Sequence, residues 1–489
     1  MSGDENDIGN APELISENEV GRWQREADVV VVGLGCAGAC AALQASAAGA
    51  ETLVLERASG GGGTSALSGG VLYLGGGTAV QREAGFEDSP EEMFKYLMAS
   101  CGHAPDEAKV QAYSEESVAH FDWIVSQGLE FKPVFYPHYS GEPPNDDGLV
   151  FSGSEAAWPF DEIARPAPRG HCPKVPGAAG GHLMQKLCAA VDASPSEVVT
   201  DARARALVRG GDGSIVGLVA DIDREPVAIR ARRGVILTTG GFINDDRMLG
   251  LHAPELRRCS YRVGADGDDG SGIRLGIAAG AATLHLGAGS VSLPIHPPKS
   301  TSHGVLVNAQ GQRFINEDCY MGRLGDNVLL QQDGQAFLLF DDRHFERPGI
   351  PRDLLAVGET WAEVEGELAL PPGSLQATMA LFNAHASKGD DPLFHKRAPY
   401  LVPLDTPPFA AIDCRVESSM FAAFTLGGLH TNAWSEVLTA SGEPIPGLFG
   451  AGRATSGIAA PGYSSGLSLG DGSFFGRRAG MQAAARKTS

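Results

Sequence analysis

The feature that most constrains this chain is the run Ala27-Asp28-Val29-Val30-Val31-Val32, followed without a break by Gly33-Leu34-Gly35-Cys36-Ala37-Gly38. Consecutive β-branched residues suit a parallel strand buried on both faces, where no polar alternation is needed. The glycines then divide the work of a phosphate-binding turn. Gly33 makes the tight turn, Gly35 lets backbone approach a pyrophosphate, and Gly38 lets helix and strand pack closely. An Ala-rich helix to about Ala48, a stop at Gly49 and a second strand over Glu51–Glu56 complete a βαβ unit. Glu56 lies 18 residues beyond Gly38, where a carboxylate can accept hydrogen bonds from ribose hydroxyls. The unpaired N–H groups and positive dipole at the helix start favour phosphate. The motif therefore predicts a nucleotide site in an α/β domain.

Composition narrows what else the chain can do. Its 489 residues hold 65 Gly, with 43% apolar and 20% charged residues, too apolar for disorder, so the glycines belong to turns and ligand loops. The formal net charge of -22 repels a phosphate backbone, and Arg232-Arg233, Arg257-Arg258 and Arg477-Arg478 are too short for a compensating patch, which excludes nucleic acid as a partner. The acidic start predicts no export signal, and no stretch of 18 uncharged apolar residues predicts a membrane span. Eight cysteines are scattered without a CxxC, as in a reducing cytosol, so a cytoplasmic location is expected. Cys36 and Cys40 lie one helical turn apart and read as packing residues. His103, His138, His171, His182 and His303 show no metal spacing. The Asp266–Gly270 run fails as a calcium loop, because Ile277 stands where the ligating Glu belongs.

Along the chain, residues 1–26 read as a polar arm, 90–128 as helical, and 131–180 as long loops rich in Pro, Gly and His. Strands return over Ala206–Ala220, with a hairpin turn at Gly211-Asp212-Gly213, and over Gly234–Thr239. A helix is expected over Gly272–Ala279 and an amphipathic one near Leu375–Ala386. The change to short strands and turns near 290 predicts an inserted domain. The expected division is 1–285 and 406–489 for one domain and 286–405 for the other.

Two further segments extend the nucleotide reading. Gly60–Gly70 is a second Gly/Ser/Thr loop, placed to reach around a ligand longer than an adenosine half, and Ile445–Gly452 is a strand entering a small-residue turn. With GVILTTGGF (234–242), GADGDDGSGIRLGIAAGA (264–281), GVLVNAQGQRFINED (304–318), GGLHTN (427–432) and GLFGAGRATSG (447–457), they span nearly the whole chain. Together they resemble the FAD-dependent flavoproteins of the fumarate reductase and 3-ketosteroid dehydrogenase superfamily. The resemblance implies a Rossmann-like α/β FAD-binding domain with an inserted α+β substrate domain, and a non-covalent FAD held by both chain ends. The residues expected to hold it are Gly33, Gly35, Ala37, Gly38, Glu56, Arg57, Thr64, Ser65, Ser68, Gly69, Ala204, Gly240, Gly452, Arg453, Ser468 and Leu469.

Arginine placement discriminates within the superfamily, since a dicarboxylate needs bidentate cationic clamps. By resemblance, the proton-donor Arg of fumarate reductases falls at Met321 here, and a carboxylate-binding Arg near Tyr463. The dicarboxylate machinery is therefore expected to be absent. The segment Ala460–Gly472, with Tyr320, is instead similar to the 3-ketosteroid Δ4-(5α)-dehydrogenases, which use two tyrosines and a serine in these places. The Δ1-dehydrogenases carry a Tyr-Pro-Gly-Ala-Gly type run that this sequence lacks.

The resemblance implies desaturation of a steroid ketone at C4–C5, with an electron acceptor still to be named. Such a reaction needs a base for the proton beside the carbonyl and a hydride acceptor. Tyr463 is the expected base, and Ser465 and Tyr320 the expected donors or relay. Backbone N–H groups around Ser465-Gly466 are expected to hold the enolate oxygen, and the helix starting near Ser468-Leu469 to stabilise reduced flavin. Tyr73, Tyr136, Tyr139, Tyr261, Trp158 and Phe424 read as core or pocket lining. The alternatives are Δ1 desaturation, another enone or fumarate-type reduction, and a non-catalytic flavin-binding protein.

Overall fold

The computed structural model describes residues 13–137, 143–296 and 298–487; Tyr139 and His138 lie outside them. Nine strands form the central sheet, and its middle is the predicted βαβ unit. Arg25–Val32 pairs in parallel with Thr52–Leu55 on one side and with Glu225–Leu237 on the other. Val29, Val30, Val31 and Val32 are all buried, as a strand covered on both faces requires. Between them runs the helix Cys36–Ala47.

The long strand Glu225–Leu237 does two jobs. Its first half pairs antiparallel with Ile215–Ile222. After a register shift between Ala231 and Gly234, its second half takes Pro444–Gly450 as a further parallel neighbour. The end of the chain is thus drawn back into the central sheet, one strand away from Arg25–Val32. The last helix, Leu467–Ala485, lies against Cys36–Ala47 at backbone distance, and a Cβ on Gly476 would sit 2.3 Å from the Ala37 carbonyl oxygen. Only glycine permits that approach.

Two sequence expectations change here. Part of the polar arm is ordered: Glu13–Ser16 is an edge strand parallel to Ala206–Arg209, its pairing groups met by a strand some two hundred residues away. The first core strand also begins at Arg25. In addition, Phe409–Asp413, read as part of the returning segment from 406, pairs with Ala336–Asp341 and Leu354–Gly358 in a separate antiparallel sheet whose fourth strand is Val305–Asn308.

That sheet keeps a strict two-residue alternation. Val305, Val307, Phe337 and Leu339 pack on the helix Ser374–Ala386 through Leu375, Met379 and Phe382. Leu306, Leu338, Phe340 and Ile412 face the other way, towards Leu324 and Val328 of the helix Met321–Gln331. Tyr320 stands immediately before this helix. The expected loop region 131–180 contributes two short strands, Leu149–Val150 and Gly170–His171, which pair with each other; Gly170–His171 also pairs with Leu72–Tyr73.

Candidate active site

The strand ends, the loop after the first helix start, and the C-terminal turn enclose one cavity of about 490 Å³. Every residue expected to hold the cofactor lines it except Gly38, and so do Tyr463, Tyr320 and Ser465. Gly38 sits beneath the turn, where an added Cβ would lie 1.8 Å from the Gly33 carbonyl oxygen. Its part is the close packing of helix and turn.

At the nucleotide end, hydrogen bonds shape the glycine loops. Glu56 accepts from the Leu34 N–H at 2.7 Å and from the Ala58 N–H at 2.8 Å, so the carboxylate clamps the turn as well as facing the cavity. Ser65 Oγ accepts the Cys36 N–H at 3.1 Å, at the start of the helix. Asp268, one of the residues read only as part of a turn, ties three segments together. It accepts from the Gly241 N–H at 2.9 Å and the Thr64 hydroxyl at 2.7 Å, and it pairs with Arg453. Asp269 likewise faces Arg57 at 2.5 Å and Arg203 at 3.7 Å.

At the other end, Tyr463 and Tyr320 face a wall that includes Tyr261, Val263, Pro294, Met321, Ile350, Met420 and Phe424. The rings of Phe424 and Tyr463 meet edge to face at 5.1 Å, and Arg453 lies over Phe424 at 5.6 Å. The three arginines lining the cavity, Arg57, Arg203 and Arg453, are all faced by aspartates. Arg323, close in sequence to Tyr320, turns to the Trp158 carbonyl and Asn316. No arginine in this wall is left to clamp a dicarboxylate.

The hydroxyl of Tyr463 accepts the Ser468 N–H at 3.2 Å, in the first turn of the last helix. Burial raises its phenol pKa, while Ser468, the Arg453 charge and the Gly466 backbone pull it down, and the net direction is upward. Ser468, expected to serve the flavin, donates to Tyr463, so the helix N-terminus acts on the phenol oxygen. One expectation is corrected: the Ser465 N–H is committed to the Ser152 carbonyl at 2.9 Å and is not available to an enolate. Tyr320 is buried, and its N–H donates to Ser154 Oγ at 3.1 Å. Of the aromatics read as lining or core, Tyr261 and Phe424 line the cavity and Tyr73 is core. Trp158 stacks on His395, and Tyr136 borders a second, small cavity.

The fit to a flavin dinucleotide can be tested on the groups that line the cavity. Glycine backbone, the hydroxyls of Thr64, Ser65 and Ser68, and the Glu56 carboxylate match phosphate and ribose chemistry. The donor set fits.

Comparison with known proteins agrees. The model of the FAD binding domain family matches residues 28–467. The chain belongs to this family. Its cofactor is FAD. The chain is 44% identical to 3-ketosteroid-Δ4-(5α)-dehydrogenase from Rhodococcus jostii RHA1, solved with 4-androstene-3,17-dione; the match covers 97% of this chain and 100% of that one, with a TM-score of 0.92. It is also 28% identical to 3-oxo-5-alpha-steroid 4-dehydrogenase of Comamonas testosteroni, covering 91% of this chain and 96% of that protein. The same identity, 28%, holds for 4-oxocyclohexanecarboxylate 2-dehydrogenase of Sinomonas cyclohexanicum, with 92% of each covered. Among the described residues, no helix is long and apolar enough to cross a membrane.

Proposed function

We propose that the chain desaturates 5α-3-ketosteroids at C4–C5, with a non-covalent FAD and Tyr463 as base. The observation that carries the reading is that Tyr463 and Tyr320 line the same cavity as the nucleotide loops, beside apolar residues, while each arginine lining it faces an aspartate. In this reaction the substrate loses a proton from C4 and a hydride from C5, and the product is the conjugated enone. FAD, when bound, supplies the hydride acceptor. Tyr463 Oη takes the C4 proton, and the Ser468 N–H at 3.2 Å holds the phenolate before it does so. With the Ser465 N–H engaged elsewhere, we assign the 3-keto oxygen to the hydroxyls of Tyr320 and Ser465.

The same reading divides the chain between cofactor and substrate roles, with the second sheet, Val305–Asp413, on the substrate side. A reducing compartment, the cytoplasm, suits its eight free thiols. The test is anaerobic titration of the purified yellow protein. Bleaching of the flavin band by a 5α-3-ketosteroid, with formation of the 4-ene-3-ketone, is expected. Bleaching only by a single-ring ketone such as 4-oxocyclohexanecarboxylate would replace the steroid reading, and no bleaching by any ketone would end it.

A further inference from the structure

Tyr320 and Tyr463 reach the cavity from segments far apart in sequence, and one short stretch, Ser152–Glu155, touches both. Ser154 Oγ accepts the Tyr320 N–H at 3.1 Å. The Ser154 N–H donates to Tyr96 Oη at 2.9 Å, and Tyr96 Oη shares a hydrogen bond of 2.8 Å with Ser464 Oγ, beside Tyr463. The Ser152 carbonyl accepts the Ser465 N–H at 2.9 Å. Glu155 then holds the stretch itself, accepting the Gly153 N–H at 2.8 Å.

These groups are hidden from solvent: Tyr96, Ser152, Glu155 and Ser464 are each 1% exposed. Buried donors and acceptors tolerate little displacement, because each lost partner leaves a polar group uncompensated. The gap is also tight, since a Cβ on Gly153 would lie 2.2 Å from Ser464 Oγ and 2.3 Å from Tyr96 Oη. Neither Tyr96, Ser152 nor Ser154 lines the cavity that holds Tyr320 and Tyr463. They act through others.

We propose that Tyr96 and Ser154 form a strut that sets Tyr320 in register with the Tyr463–Ser465 turn, making them positioning residues for the desaturation. The inference rests on the function proposed above for the two tyrosines. A base and a carbonyl donor must meet one substrate at once, and an error of an ångström costs about 10²-fold in rate. A strut fixed to both segments removes that error without contacting substrate.

The experiment uses the FAD-loaded full chain as wild type, Tyr96→Phe, Ser154→Ala and Ser154→Thr. In Tyr96→Phe and Ser154→Ala, flavin reduction by a saturating 5α-3-ketosteroid should slow by about 10- to 100-fold, while the half-saturating steroid concentration moves less than about threefold. Ser154→Thr keeps the acceptor and should stay within about threefold of wild type. The double variant should be slower by less than the product of the single effects. Hydrogen exchange supplies a readout independent of turnover: the Tyr320 amide in Ser154→Ala, and the Ser465 amide in Tyr96→Phe, should exchange at least about tenfold faster, with other segments unchanged.

Wild-type reduction rates with wild-type exchange at both amides would overturn the strut. So would exchange accelerated throughout the chain with loss of FAD, which would mark a general folding role. If the steroid leaves even wild-type flavin oxidised, the functional reading fails. Exchange at the two amides then decides the strut alone: local acceleration keeps it and no change overturns it.

Discussion

Replacing Tyr463 by Phe tests the proposed base most directly, because the structure separates what the ring does from what the hydroxyl does. The ring packs edge to face on Phe424 at 5.1 Å, and phenylalanine keeps that contact. The hydroxyl accepts the Ser468 N–H at 3.2 Å; without it that N–H loses a partner, at a cost of about 1–3 kcal/mol. Losing a general base costs about 10²–10⁴ in rate, which is about 2.7–5.4 kcal/mol of barrier at 1.36 kcal/mol per tenfold. The variant should therefore fold, hold FAD and bind steroid, yet reduce its flavin at least about a hundredfold more slowly. Because burial raises the phenol pKa, the wild-type reduction rate should climb as pH rises toward the alkaline range, as more phenolate forms. The variant's profile should lose that climb. Stopped-flow reduction under anaerobic conditions, with thermal unfolding and FAD content measured on the same preparations, reads all three effects. Reduction by Tyr463→Phe at near wild-type rate would refute the reasoning and move the base to Tyr320.

Three other outcomes follow from particular contacts. Glu56→Ala removes the acceptor for the Leu34 and Ala58 N–H groups, so FAD affinity should fall by roughly tenfold or more for the loss of about 1.5–3 kcal/mol of charged hydrogen bonding, measured by dilution and fluorescence; acid precipitation should also release the flavin into solution. Fumarate and succinate should show no turnover comparable with that of a 5α-3-ketosteroid, because the cavity's arginines are paired with Asp268 and Asp269; a comparable rate in steady-state assay would contradict the pairing argument. Acid should destabilise the protein below about pH 6.5, because buried His120 is held neutral down to about 3 and His171 and His296 down to about 4. The unfolded chain takes up protons that the folded one refuses, so stability is lost as pH falls through that window. Denaturant titrations at pH 7 and pH 5 should show His120→Gln losing less stability between the two than wild type.

The βαβ unit was legible because a strand buried on both faces needs a run such as Val29–Val32, and its turn needs glycine at fixed spacing. Tyr463, Tyr320 and Ser465 were legible only through resemblance, since a single tyrosine in a sequence says nothing about where its hydroxyl points. Ser468 was named for the flavin, and its contact with Tyr463 was missed, because a backbone N–H has no signature of its own; the helix start at Leu467 was the available clue. Asp268 was passed over as part of an Asp/Gly turn. Its role depends on Thr64, Gly241 and Arg453 coming together, which local composition does not encode. Glu13–Ser16 and Phe409–Asp413 failed for a related reason. Each is a short strand whose partners lie far along the chain, so its pairing is a tertiary fact.

A phenol as the proposed base accords with the cavity's own balance of charge. An apolar wall penalises any resting ion, and a carboxylate placed there would be driven toward its neutral acid, while an imidazole would be held neutral with little basicity to spare. A tyrosine is already neutral at rest and so loses little by burial. The difficulty is the phenolate, and the fold meets it with fixed dipoles: the last helix begins at Leu467 and turns its Ser468 N–H onto the phenol oxygen, where the end of a helix carries roughly half a positive charge. Arg453 adds a full charge nearby, but Asp268 pairs with it. Were that aspartate absent, the arginine would favour a resting phenolate and also offer an anchor to carboxylate ligands. With it present, the stabilisation of the phenol oxygen comes first from Ser468, through its side chain and its backbone N–H, and only then from Arg453. The acidic run Asp268-Asp269 thus serves both ends of the cavity, ordering the glycine loops on one side and keeping the other neutral enough for a steroid.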